Sequence, residues 1–247
     1  MFSRFAAVCL LTCSALINAY AQAPNTLSAS EKKAGWQLLF DGRDLKGWHR
    51  YNGKGIPTSW KVEQGALHLN VPKPTGESGA TARDAGDLVT DTPIAGDFAF
   101  KTEFKLERYT NSGVFFFVQE NAQYPKIFDT GLEAQIGDDD LYQRDVKLPH
   151  PHNSGDFFSI ADARIKEPKP LGEWNQLEVS MQKNKLVVMI NGFTVQEHDL
   201  TSADWKQRMA ASKLSKAPIA SGKFSGRIGL QDWNTGVWFR NIKVRSL

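Results

Sequence analysis

Cysteine is nearly absent: the 247 residues contain two, Cys9 and Cys13, both close to the N-terminus. Long apolar runs are equally scarce. The one of note covers 5–17, directly after Arg4. It is too short for a permanent membrane span, which needs roughly twenty apolar residues. With Ala19, Tyr20 and Ala21 behind it, the run reads as a secretory leader cleaved after Ala21, at a small-x-small site. Thr12 before Cys13 fits a lipid-anchor signal poorly. The expectation is an exported protein, periplasmic or extracellular, with no membrane attachment once the leader is gone. Both cysteines leave with the leader, so no disulfide staples the fold and an apolar core has to hold it. A dominant charge of one sign is also missing. Lys and Arg number 30 against 27 Asp and Glu, for +3 at pH 7. They are scattered rather than gathered in a basic stripe, which argues against a nucleic-acid partner. There is no repeat and no low-complexity tract.

What is present is strand pattern and turn punctuation. Residues 22–34 are mostly small or polar and read as a flexible lead-in. Apolar patterning starts at Gly35, Trp36, Leu38, Leu39 and Phe40 and marks a single domain over 35–247. Short strands are predicted at 60–62 and 66–70. Phe98, Phe100, Phe104 and Leu106 alternate with Lys101, Glu103, Lys105 and Glu107, the period of a strand wet on one side. Residues 113–119, nearly all apolar, predict a central strand covered on both faces. Leu177, Val179 and Met181, then Leu186, Val188 and Ile190, then Phe193 and Val195 predict three antiparallel strands. Lys183-Asn184 and Asn191-Gly192 supply the tight turns between them. One short helix is predicted over 201–214, with Thr201 as its cap, Asp204 in its first turn, and Trp205 and Met209 four residues apart. The chain closes with strands at 226–232 and 237–244 around a turn at 233–236. The fold class implied is all-β: a two-sheet antiparallel jelly-roll sandwich with one short helix.

The strongest constellation is Gly131-Leu-Glu-Ala-Gln-Ile136, followed by Asp138, Asp139 and Asp140. On a strand Glu133 and Gln135 share one face, and Leu132, Ala134 and Ile136 share the other. A carboxylate beside an amide suits sugar hydroxyls and proton transfer. It also suits an ordinary wet face. The aspartate run lacks the glycine and closing glutamate of a helix-loop-helix calcium site and reads as a solvated turn. His150 and His152 flank Pro151 and suit a base or a metal ligand, but no third histidine lies near enough for zinc. Asp232 and Arg240 are expected across one hairpin, either as an ion pair or as a clamp on a carbonyl oxygen. Of the seven tryptophans most belong in a core. Trp48 and Trp233 are the candidate exposed platforms for a sugar ring.

These residues together bring out a resemblance. Trp36-Gln-Leu-Leu-Phe-Asp-Gly-Arg-Asp-Leu-Lys-Gly-Trp48, Trp60-Lys-Val-Glu-Gln-Gly-Ala-Leu67, Asn111-Ser-Gly-Val-Phe115, Leu132-Glu-Ala-Gln135, Gly172-Glu-Trp-Asn175, Ile190-Asn-Gly192 and Gly229-Leu-Gln-Asp232 with Trp238-Phe-Arg-Asn-Ile242 are similar, in order, to the 3-keto-disaccharide hydrolase family, long classed as a bacterial domain of unknown function. The resemblance implies a concanavalin A-like jelly roll. It also implies cleavage of glycosides already oxidised at C3, where the ketone acidifies the C2 hydrogen and an enolate expels the C1 substituent. On this chain it implies Glu133 as base, with His150 or His152 as rival base or proton donor. Arg240, Lys213 and Gln231 become contacts to the enolate or hydroxyls, and Asp232 a substrate or orienting contact. Asn111, Gln135, Asp138, Trp48 and Trp233 complete the candidate substrate contacts. The implied ligand is a small carbohydrate made available by a separate sugar oxidoreductase. No redox cofactor is needed, and a divalent cation is left open. Two departures stand out: Trp233 occupies a place where the family usually has histidine, and 138–158 differ from its lyase members.

Two other readings compete with this one. A lectin-like binding module uses the same fold without catalysis. A conventional jelly-roll glycosidase needs two carboxylates about 5–9.5 Å apart across the scissile bond. Glu133 and Asp138 lack common parity on a straight strand and fit the latter poorly.

Overall fold

Strand β7 (Phe98–Leu106) alternates buried and half-exposed residues along its whole length, with Phe98, Phe100, Thr102, Phe104 and Leu106 turned inward. In the computed structural model, which describes residues 22–71, 84–138, 153–164 and 168–247, β7 lies inside an eight-stranded antiparallel sheet. The order there is β12 (Phe193–Asp199), β11 (Lys185–Ile190), β10 (Trp174–Gln182), β7, β14 (Val237–Ser246), β4 (Ala66–Leu69) and β3 (Trp60–Glu63), and β1 (Gln37–Leu38) also pairs with β14. A six-stranded sheet faces it in the order β2 (Trp48–Arg50), β5 (Leu88–Thr90), β13 (Ser225–Leu230), β8 (Asn111–Val118) and β9 (Leu132–Gly137), with β6 (Ile94–Ala95) also on β13. The expected all-β sandwich is what the chain forms.

Aromatic rings fill the space between the sheets. Phe116 of β8 stacks on Phe98 at 5.6 Å and meets Phe100 edge-on at 5.3 Å. The run 113–119 can serve both faces because β8 carries a bulge. Arg227 pairs with Val118 and Gly229 with Phe115, so β8 has one residue more than β13 over that interval, and Phe117 takes φ 62°. Phe116 and Phe117 both enter the main core as a result. Phe115 and Val118 join a smaller cluster with Tyr51, Val89 and Ile127 on the face turned away from it.

Three local expectations need correction. Strands β13 and β14 form no hairpin: they belong to different sheets, and residues 231–236 cross from one layer to the other. A hairpin and a layer crossing share the same local pattern of two strands around a polar turn. The predicted helix is α2 (Ala203–Ala211), burying Trp205 and Met209 as its spacing implied. Its cap is Ser202, whose Oγ accepts from the Trp205 N–H at 3.1 Å, while the Thr201 hydroxyl donates to Asp199.

The lead-in 22–34 is the third correction, because it is docked. Helix α1 (Ala29–Lys33) starts at a capping box between Ser28 and Glu31. Asn25 and Asn241 each donate a backbone N–H to the other's side-chain oxygen, at 2.6 and 2.8 Å. The ammonium of Lys243 sits 2.9 and 3.0 Å from the two Glu31 oxygens. Polar composition suggested flexibility, but these long-range pairs satisfy the polar groups.

Desolvation raises the Glu31 carboxyl, but bonds from Lys243, the Ser28 N–H and Gln22 outweigh it and bring it down to about 2. A carboxylate held below its unfolded value contributes stability that is fully present above about pH 4.5 and disappears as the pH falls through about 2. Glu31→Gln is therefore expected to lower stability at neutral pH by on the order of 2 kcal/mol. The deficit should shrink toward pH 2, as read from denaturant unfolding at several pH values. An unchanged deficit at both ends would remove the ion pair as its cause.

Candidate functional site

Residues in register on neighbouring antiparallel strands point to the same face, so pairing decides which side chains meet on the outer face of the six-stranded sheet. Gly229 pairs with Val89 and with Phe115, and Phe115 pairs with Glu133. Two residues along each strand, the same face carries Asp87, Gln231, Gly113 and Gln135. Gly113 pairs with Gln135, and the Gln231 N–H donates to the Gly113 carbonyl at 3.0 Å. Glu133, Gln135, Gln231 and Asp87, from three segments of chain, thus gather around one glycine on a fourth.

That glycine makes the arrangement possible. A Cβ on Gly113 would stand 2.7 Å from Glu133 Cγ and 2.9 Å from its Cδ, so the glutamate side chain occupies the room a larger residue would take. The alternative of an ordinary wet face for Glu133 and Gln135 does not hold: both are buried, at 4% and 2% exposure. Residues 153–161 run beside β9 and close it off. The Gln135 N–H donates to the Asp156 carbonyl and the Gly155 N–H to the Gln135 carbonyl, each at 2.9 Å, and the Phe158 N–H donates to the Glu133 carbonyl at 3.3 Å. Lys213 lies over this edge, its ammonium 4.7 Å from the Phe158 ring centre. On the other side Trp233 meets Phe128 edge-on at 5.8 Å. Phe128 packs on the outer apolar cluster, and Trp233 is 48% exposed.

Glu133 Oε1 and Gln231 Oε1 are buried with no hydrogen-bond donor among the described residues. Burying an acceptor unpaired costs on the order of 1–3 kcal/mol. Two such acceptors on one face form a site built for a ligand that brings donors, as sugar hydroxyls do. Burial pushes the Glu133 carboxyl well above the usual range, the Asp87 charge pushes it further, and Lys213 opposes. Burial also raises Asp87, to about 7, against the hydrogen bond it accepts from Asp232 N–H and with the Asp232 charge. The site therefore holds two carboxyls with a raised affinity for the proton, beside a cation.

The predicted residues divide between this site and other parts of the fold. Gln135 Nε2 donates to Asn111 Oδ1 at 2.9 Å and to the Ser112 carbonyl at 3.0 Å, so Asn111 holds the amide in place. Asp232 Oδ2 accepts from Ser59 Oγ at 2.9 Å and Gly86 N–H at 3.1 Å, and its own N–H reaches Asp87 Oδ1 at 2.8 Å. Its contacts fix the segment that presents Asp87. Arg240 is elsewhere: on the outer face of the other sheet, 2.5 Å from Glu103 Oε2 and 4.0 Å over the Trp174 ring. It cannot meet Asp232 because the two strands lie in different layers. Trp48 is in the core at 4% exposure, its Nε1 donating to the Leu39 carbonyl at 2.5 Å. It is no platform. Asp138 is buried instead of in a solvated turn, its Oδ2 accepting from the Tyr109 N–H at 2.7 Å. His150, His152, Asp139 and Asp140 lie outside the described residues. Among the described residues no group of three or more His, Cys, Asp and Glu gathers as a metal would require.

Sequence reasoning missed Asp87. It precedes a three-residue strand, with no spacing relation to Glu133, and only the cross-strand register brings it to the site. Gly113 stood within a quoted motif, but nothing local marked it as the floor beneath a carboxyl.

Known proteins share this chain's sequence and fold. The model of the 3-keto-alpha-glucoside-1,2-lyase-like domain matches residues 35–245. A 3-keto-disaccharide hydrolase of Bacteroides thetaiotaomicron is 31% identical over 235 residues, covering 86% of this chain and 79% of the relative. A solved Parabacteroides distasonis protein assigned to the glycosyl hydrolases superposes with a TM-score of 0.77 at 29% identity, over 91% of this chain and all of the other. A second protein so assigned, from the same organism, shares the fold, with a TM-score of 0.62 at 23% identity over 86% and 99% of the two chains.

Proposed function

Because the chain belongs to the 3-keto-alpha-glucoside-1,2-lyase-like family, we propose that it cleaves glycosides whose sugar ring already carries a ketone at C3. The observation that carries this reading is Glu133: buried, over a glycine floor, with an oxygen that has no partner among the described residues. A C3 ketone makes the C2 hydrogen acidic. Removing it forms an enolate, and the enolate expels the C1 substituent. Water then adds to the unsaturated sugar. The protein has to supply proton carriers and a polar setting for the enolate oxygen. Glu133 moves protons, Lys213 is a cation whose charge acts on it, and Gln231 accepts from a ring hydroxyl. Trp233 and Phe128 offer apolar faces for the sugar or its leaving group.

The leader pattern of residues 1–21 makes export part of the proposal, with a separate sugar oxidoreductase supplying the ketone. The test sets matched substrates side by side. The protein is expected to release the aglycone from a 3-keto-glucoside and leave the unoxidised glucoside intact. Equal cleavage of both would favour a conventional glycosidase, and binding of plain oligosaccharides without cleavage a lectin. Glu133→Gln is expected to lower kcat/KM for a 3-keto-disaccharide by about a hundredfold or more. Trp233→Ala should raise KM several-fold with kcat little changed, the signature of lost ring contact common to ground and transition states.

A further inference from the structure

Two proton transfers need two carriers, and the site has a second carboxyl that no motif marks. Asp87 and Glu133 lie on the same sheet face. Asp87 stands beside Gln231 and Gln231 beside Gly113, over which Glu133 leans. Two strand spacings, about 10 Å between backbones, separate Asp87 from Gly113, and the glutamate leans from the next strand over that glycine. Glu133 feels the Asp87 charge. Their settings differ: Glu133 is enclosed, whereas Asp87 is half-buried at the rim, held by the Asp232 N–H at 2.8 Å.

We propose that Asp87 is the base that takes the C2 proton and Glu133 the acid that protonates the departing C1 oxygen. This rests on the 3-keto-glycoside reading above, and it reverses the role first expected for Glu133. In the elimination the C2–H bond breaks and its proton goes to the Asp87 carboxylate. The electron pair forms the enolate of the C3 ketone. The enolate collapses to C1=C2, the C1–O bond breaks, and the leaving oxygen takes the Glu133 proton. Asp87 is then protonated and Glu133 ionised. Hydration returns the pair: Glu133 removes a proton from water as its oxygen bonds to C1, and Asp87 returns a proton to C2. Every proton is accounted for, and the starting state is restored with water as the only added reactant.

The direction of the shifts agrees with this order. Burial and the Asp87 charge hold the Glu133 carboxyl well above its ordinary range, with Lys213 opposing. Asp87, faced by Glu133, Asp232 and Tyr51, ionises at about 7. kcat/KM for the wild type should therefore fall as the pH drops through about 7.

The experiment follows C2 hydrogen exchange in deuterium oxide, together with cleavage of 3-keto-glucosides bearing leaving groups of graded acidity. Asp87→Asn keeps the oxygen that accepts from Asp232 and is expected to abolish both exchange and cleavage for every leaving group. Glu133→Gln should keep exchanging at C2 and cleave poorly, with a deficit that shrinks as the leaving group becomes more acidic. Exchange that persists in Asp87→Asn, or is lost in Glu133→Gln alone, overturns the assignment. Should Asp87→Asn fail to fold, the wild-type profile decides: a flat kcat/KM from pH 5 to 8 overturns it as well. A wild type inert toward all 3-keto-glycosides overturns the functional reading together with these roles. Activity in the wild type that survives in folded Asp87→Asn overturns only this proposal.

Discussion

Gly113→Ala is expected to lower turnover of a 3-keto-glycoside by about a hundredfold while the chain stays folded. The added methyl would stand 2.7 Å from Glu133 Cγ and closer still to Oε1, so the glutamate has to swing away. A displacement of about 1 Å in a catalytic group is enough for a loss of this size. The backbone at Gly113 needs no positive φ, and the methyl projects from the outer face rather than into the main core. Stability should change by no more than about 1 kcal/mol, since alanine suits a strand at least as well as glycine. Kinetics and thermal unfolding measured on the same preparation separate the two effects. Unchanged kcat/KM in a folded Gly113→Ala protein would mean that Glu133 need not sit where it does.

Phe116→Ala should act in the opposite way, through stability. Phe116 has no exposure and packs against both Phe98 and Phe100 between the sheets. Truncating such a ring costs about 3–5 kcal/mol through lost burial and the cavity left behind. In a domain of this size that corresponds to a fall in Tm of about 6–20 °C. The bulge at Phe117 holds the backbone in a special conformation, so the lining has little freedom to collapse into the gap. A drop below about 1 kcal/mol would show that the layer relaxes to fill it. The acid-dependent loss expected at Glu31 is smaller, because one hydrogen-bonded ion pair contributes less than the burial of a whole ring.

The contrast between β7 and β9 shows what was legible in the sequence. Period two in β7 predicted its inner residues one by one, because burial on one side only leaves an alternating record in the residue types. The same rule placed Glu133 and Gln135 together on a face of β9 but left open whether that face is a hollow or wet, since nothing in 131–136 records the chain beside it at 153–161. Trp48 and Trp233 make the same point. Both are tryptophans next to turns, and their exposures differ about twelvefold because Trp48 finds a carbonyl and a core while Trp233 meets the edge of Phe128 at the surface.

Local order along the chain was enough to determine the strands, the tight Asn-rich turns, the two-sheet class and, through seven ordered motifs, the family. These depend on periodicity and on backbone angles that few residues tolerate, and both are written in consecutive residues. Which carboxyl stands opposite Glu133, why Arg240 is on the far side of the sandwich, and which acceptors are left for a ligand were decided only by strand register and layer crossing. Those are relations between residues far apart in the chain, and they exist only once the sheets have paired.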